Sequence, residues 1–289
     1  MEILLNELSI DGQFTSEEEF IFYLKEKLIN VLQLIEENGF FLLKKSDVYD
    51  RKITPDKTLM DILTQYNFPL ITVLKSYISQ LCAQEPYWDD AIMTDAEAEY
   101  CYSEKQDEPN AFTEAIERNV PLLSLAHNKY SESSYLCSKN DKKVEIANIQ
   151  KIEDLLKVCI DYQALTIDYI IEQYPYDLEV SMVRLNDKCH AKEALESNEL
   201  TTKDYQNILE DLGHMMTGLK LGQKNRYWDS IDDGLFEFRA NVSAGRIFRL
   251  FFIQKKGIQL LNGFIKKTEQ TPLHEIKKAK KIVSELKKR

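Results

Sequence analysis

The chain has 289 residues, 44% of them apolar and 29% charged, with a formal net charge of −11. This is the composition of a soluble globular protein long enough for more than one core. No run approaches the roughly 18 apolar residues of a membrane span, the start Met1-Glu2-Ile3-Leu4-Leu5 has no basic leader, and five scattered cysteines lack CxxC spacing. Membrane, disulfide-scaffold and cysteine-based zinc classes are thereby set aside, and a cytoplasmic protein with reduced thiols is expected.

Residues 1–14 read as an irregular or extended lead-in. Ser16 followed by Glu17-Glu18-Glu19 is a capping-box start, with Ser16 accepting a helix amide and Glu19 reaching back. Phe20, Leu24, Leu28, Val31, Leu32 and Ile35 recur at helical spacing up to the stop at Asn38-Gly39. Further helices are expected over 58–66, over 69–81 with Pro69 in the first turn, and over 111–118. Glu85-Pro86-Tyr87-Trp88-Asp89-Asp90 and Asp107-Glu108-Pro109-Asn110 interrupt the pattern. Residues 134–138 and 143–147 suggest a hairpin turning at Asn140-Asp141. An amphipathic helical stretch over 152–173 closes an acidic, mainly helical domain, 1–180. Residues 174–200, with Tyr174-Pro175-Tyr176-Asp177 and the polar run 193–199, make a junction between 1–180 and 190–289 rather than a flexible linker.

The C-terminal part, 190–289, has the opposite sign. Residues 201–289 carry 18 Lys+Arg against 10 Asp+Glu, which leaves 19 basic and 38 acidic residues in 1–200. Such asymmetry points to different partners for the two parts, or to their mutual attraction. A helix is expected over 202–217, stopped at Gly218. Three strands follow, 235–242, 246–254 and 258–265, separated by Ser243-Ala244-Gly245 and Lys255-Lys256-Gly257. Strand alternation puts Glu237 with Arg239 on a face opposite Phe236 and Phe238, so the sheet is expected to bury an aromatic side and present guanidinium groups on the other. Thr271 as cap and Pro272 in the first turn start a lysine-rich final helix. The fold class expected is α+β.

The succession Gly234-Leu-Phe-Glu-Phe-Arg239, Gly245-Arg-Ile-Phe-Arg-Leu-Phe-Phe252, Leu260-Leu-Asn-Gly-Phe-Ile-Lys-Lys-Thr268 and Thr271-Pro-Leu-His-Glu-Ile-Lys-Lys-Ala279 resembles the RelE/HigB toxin superfamily, in its phage-derived HigB-like branch. The resemblance covers about 190–289 and nothing of 1–180. It implies a RelE-like sheet flanked by helices and a ribosome-dependent endoribonuclease that cleaves mRNA by attack of the RNA 2′-hydroxyl on the adjacent phosphate. It implies no metal and no cofactor. The partners implied are mRNA and the ribosome, with an antitoxin protein or restraint by the N-terminal domain, in a toxin–antitoxin or phage-defence setting.

Arginine suits this chemistry because its guanidinium stays charged and grips phosphate oxygens in pairs. By the resemblance, Arg239, Arg249, Lys266 and Lys267 are the catalytic candidates. Lys224, Arg226, Arg246, Lys277 and Lys278 are the RNA-binding candidates. Where relatives carry basic residues before the first strand, this chain has Trp228-Asp229-Ser230-Ile231-Asp232-Asp233, and Lys224 with Arg226 substitute from upstream. Asn262 stands where many relatives have histidine, so no imidazole acid or base is available there. Glu237 is read as the orienting partner of an arginine. The competing class is a non-catalytic RelE-fold RNA or ribosome adaptor, or a ParE-like gyrase inhibitor. Isolated histidines and the lack of a glycine-rich phosphate loop argue against metal and nucleotide chemistry.

Overall fold

In the computed structural model, which describes residues 1–65, 110–125, 129–139, 142–232, 234–266 and 272–288, Ser16 caps the first long helix by accepting from the Glu19 amide. The Glu19 carboxylate reaches one residue further back than a capping box requires, to the amide and hydroxyl of Thr15. The helix then runs as α1 (Glu17–Tyr23), a π-helical segment (Leu24–Leu28) and α2 (Ile29–Glu37). α3 (Leu59–Gln65) and α4 (Ala111–Arg118) fall where the spacing places them. The helix expected over 69–81, the interruptions at 85–90 and 107–109, and the Asn140-Asp141 turn lie outside the described residues.

Contacts divide the chain between Val158 and Cys159 into two units, upstream of the 180–190 junction expected from the sequence. The first unit carries helices and also a five-stranded sheet of order β2-β1-β3-β5-β4. Its strands are β1 (Glu2–Leu5), β2 (Phe41–Leu43), β3 (Leu122–Leu123), β4 (Ser134–Lys139) and β5 (Lys142–Ile149). The lead-in is therefore a central strand, paired in parallel with β2 and β3. Ile3, Leu4, Leu42, Leu122, Leu123 and Ile149 are buried, as parallel strands covered on both faces demand. The expected hairpin is β4–β5. Beyond the carboxyl ends of β1 and β3, the Asn6 amide donates to Ser124 Oγ at 2.9 Å, which donates to Asn148 Oδ1 at 2.6 Å, and all three are buried. This chain of bonds knits the parallel strands together where the sequence shows only scattered polar residues.

The stretch 152–173 is two helices, α5 (Ile152–Asp161) and α6 (Ile167–Gln173), broken near Gln163, whose φ is +50°. In the second unit the three sheet strands expected from the sequence appear as β8 (Leu235–Val242), β9 (Arg246–Gln254) and β10 (Ile258–Lys266). Two more strands widen the sheet to the order β6-β10-β9-β8-β7: β6 (Val180–Met182), parallel to β10, and β7 (Trp228–Asp232), antiparallel to β8. α7 (His190–Leu195) packs on β10, with Ala194 close to Gly263. α8 (Thr202–Lys220) packs on β8, where Phe238, Ala240 and Val242 are buried. α9 (Leu273–Leu286) covers part of the opposite face through Ala279 and Ile282 against Leu235, Phe251, Ile253 and Leu261. Its N-cap is Pro272, with Thr271 outside the described residues, so the expected cap is shifted by one position.

Gly218 does not stop α8. The helix continues to Lys220, and Gly218 makes room for Asn225: a Cβ there would collide with the Asn225 side-chain amide. At the other end Thr201 and Asp204 form a capping box, and the buried Asp204 also accepts from the amide of Ser243 at 2.6 Å and its hydroxyl at 2.9 Å. One carboxylate thus ties the β8–β9 turn to the start of α8. Burial opposes its ionisation, yet bonds from the Thr201 and Ser243 backbones and their hydroxyls prevail and hold its pKa below the ordinary 3.8. A folded pKa below the unfolded one stabilises above the unfolded value, and that contribution is lost as pH falls through the folded pKa. Asp204→Asn is expected to cost about 1–2 kcal/mol at neutral pH. The deficit should shrink as the pH is taken below about 4, which urea titrations of both proteins across that range will show.

Candidate RNA-binding and catalytic site

The site begins with the pairing of β8 and β9. Their register sets Arg239 directly opposite Arg249 and Glu237 opposite Phe251. Two cross-strand arginines would repel, and Glu237 resolves this: its Oε2 accepts from Arg249 Nη1 at 2.6 Å and from Arg239 Nε at 3.0 Å. Glu237 is fully buried, so its role as arginine orienter is realised twice over.

The two arginines differ in what they can reach. Arg249 has only 7% of its side chain exposed, whereas Arg239 has 33%. The expectation of a face presenting both guanidinium groups therefore needs correcting: Arg239 reaches solvent, and Arg249 is buried behind it. Alternation assigns residues to a face but does not say how much of that face its neighbours cover.

β7 adds a carboxylate that sequence reading passed over. Asp229 lies opposite Glu237 and joins Arg239 Nη1 at 2.7 Å and Lys224 Nζ at 3.0 Å. The Lys224 hydrogen bond, against partial burial and with the help of Arg239, holds the Asp229 carboxyl below its ordinary range. Among the described residues joined by these bonds are three cations, Lys224, Arg239 and Arg249, and two carboxylates, Asp229 and Glu237. A run of acidic residues beside a basic strand was the available signal.

The remaining candidates scatter. Lys266 ends β10 opposite Ile247, two residues beyond Phe264, the partner of Arg249. Lys267 lies outside the described residues. Arg226 is exposed and its guanidinium lies 4.9 Å from the centroid of the Tyr227 ring. Arg246 is a tie: it donates to the Glu199 carboxylate at 3.0 Å, the Glu199 carbonyl at 2.8 Å and the Ser243 carbonyl at 3.1 Å. Lys277 is exposed and Lys278 half-buried, both on α9. Asn262 is buried, its amide donating to Glu275 Oε2 at 2.9 Å.

These arrangements lie within one matched segment. Residues 196–284 match the family model of the phage derived protein Gp49-like family (DUF891). The Gp49-like segment runs from just before α8 almost to the end of α9 and contains Arg239, Arg249, Glu237, Asp229 and Lys224. It lies inside the 190–289 span over which the sequence resembles the phage-derived toxin branch. No curated protein and no solved structure matches the chain. Among the described residues no helix is long and apolar enough to cross a membrane, and no group of three or more His, Cys, Asp or Glu is placed to hold a metal ion.

Proposed function

We propose that the chain is a toxin-type, ribosome-dependent endoribonuclease whose second unit cleaves mRNA and whose first unit regulates or targets it. The observation that carries this reading is the arginine pair of the Gp49-like segment, held by one buried carboxylate, with Arg239 open to solvent. Such a pair suits a phosphodiester attacked by its neighbouring 2′-hydroxyl. The 2′-oxygen bonds to phosphorus, the bond to the 5′-oxygen breaks, and Arg239 bears on the negative charge that gathers on the phosphoryl oxygens. Arg249 acts behind it by keeping Glu237 neutralised. Lys266, at the end of β10, is the candidate for holding the strand or passing a proton.

Among the described residues of the cluster both carboxylates, Asp229 and Glu237, are engaged by its cations, so in this reading much of the rate falls to alignment, which a ribosomal A site supplies. Purified protein added to translating ribosomes is expected to cut mRNA within the A-site codon, leaving a 2′,3′-cyclic or 3′-phosphate and a 5′-hydroxyl, with little action on naked RNA. Robust metal-dependent cutting of free RNA would refute this mechanism. The burial of Arg249 favours a second reading, a non-catalytic RNA or ribosome adaptor, for which binding to ribosomes without any cleavage is the expected result.

A further inference from the structure

Beside Arg239 lies a group that the cleavage chemistry does not use. The Tyr227 carbonyl accepts from the Arg239 amide at 2.8 Å, so the two residues are fastened side by side. The Tyr227 ring is stacked on His214, with centroids 5.2 Å apart and planes inclined by 17°. The Arg226 guanidinium lies over the same ring and donates to its hydroxyl at 3.0 Å. His214 and Arg226 are exposed. Asn225 fixes the arrangement, donating to the His214 carbonyl at 3.0 Å and accepting from the Tyr227 amide at 3.1 Å, in the space that Gly218 leaves.

An exposed imidazole and guanidinium, backed by a tyrosine, are groups on which unpaired bases stack. A few residues away, Lys224 and Arg239 converge on the two oxygens of one carboxylate, Asp229. A phosphate makes the same demand on a lysine and an arginine, with more charge and more oxygens. We propose that Lys224, Arg239, Arg226, Tyr227 and His214 form a nucleotide subsite for single-stranded RNA, in which a phosphate displaces Asp229 and the adjoining base stacks on His214. Asp229 is the internal occupant of the phosphate position. The subsite rests on reading the second unit as RNA-binding, and it is independent of whether the bound RNA is cut.

Equilibrium binding of the full chain to fluorescein-labelled oligoadenylate and oligouridylate tests it apart from cleavage. Oligoadenylate should bind more tightly, because purines stack better. His214→Ala should weaken oligoadenylate binding about fivefold or more and erase the preference, whereas His214→Phe should restore both. Asp229→Asn should tighten binding of both oligomers several-fold, with the melting temperature monitored to establish folding. Unchanged or weaker binding by a folded Asp229→Asn protein overturns the proposal, as does an unaltered base preference in His214→Ala. Polyglutamate binding as tightly as oligoadenylate would also overturn it, assigning the cluster to an acidic protein segment. Cleavage on ribosomes with no binding of either oligomer removes the subsite and keeps the nuclease; binding without cleavage does the reverse.

Discussion

Replacing Arg239 with alanine is expected to lower ribosome-dependent mRNA cleavage about a hundredfold or more, the usual cost of one donor aimed at transition-state charge. The fold should survive. Arg239 is one-third exposed, and its loss leaves Glu237 still bonded to Arg249 at 2.6 Å and Asp229 still bonded to Lys224 at 3.0 Å. Single-turnover cleavage in a translation mixture, beside a thermal melt, separates the two effects. Full-rate cleavage by the variant would remove Arg239 from the chemistry.

The second large effect is on stability. Arg249→Met should destabilise the second unit by about 3 kcal/mol, the lower end of the cost of breaking a buried ion pair, because Arg239 remains as a partner for the stranded carboxylate. Removing both charges is a different matter. The double variant Arg249→Met/Glu237→Leu should recover most of the loss, since apolar groups of similar size fill the space without a desolvated charge. Urea unfolding of the parent, single and double variants measures this, and a double variant no more stable than Arg249→Met would show that a stranded carboxylate is not what costs the single variant its stability. One consequence concerns assays: an inactive Arg249→Ala protein shows nothing about catalysis until its folding has been established.

What could be read from the sequence followed the strength of the local signal. β8, β9 and β10 each hold eight or nine residues rich in aromatic and branched side chains with loops between them, and their limits match the sequence reading to within one residue. β1, β2 and β3 hold two to four residues each, too few for a period to show, so the parallel sheet of the first unit was not visible. β6 is equally short and is defined by its partner β10 rather than by its own composition. Glu237 was legible as an orienting carboxylate because alternation placed it beside Arg239. Asp229 was not, because it sits on a strand of mixed polarity whose pairing with β8 cannot be inferred from Trp228-Asp-Ser-Ile-Asp232. The break between α5 and α6 escaped for a similar reason: it lies at Gln163 with φ of +50°, where no glycine or proline marks it.

β6 also sets a timetable. Val180 pairs with Ile258 and Met182 with Leu260, so this strand must wait for some seventy-five further residues before its neighbour exists. During synthesis the arginine-bearing hairpin of β8 and β9 is made before β10 can close the sheet beside it, and long-range parallel pairing of this kind forms slowly. The complete five-stranded sheet therefore comes into being only after β10 has left the ribosome. A nuclease of the kind proposed would, by this order of assembly, lack its finished sheet for as long as β10 is still being made.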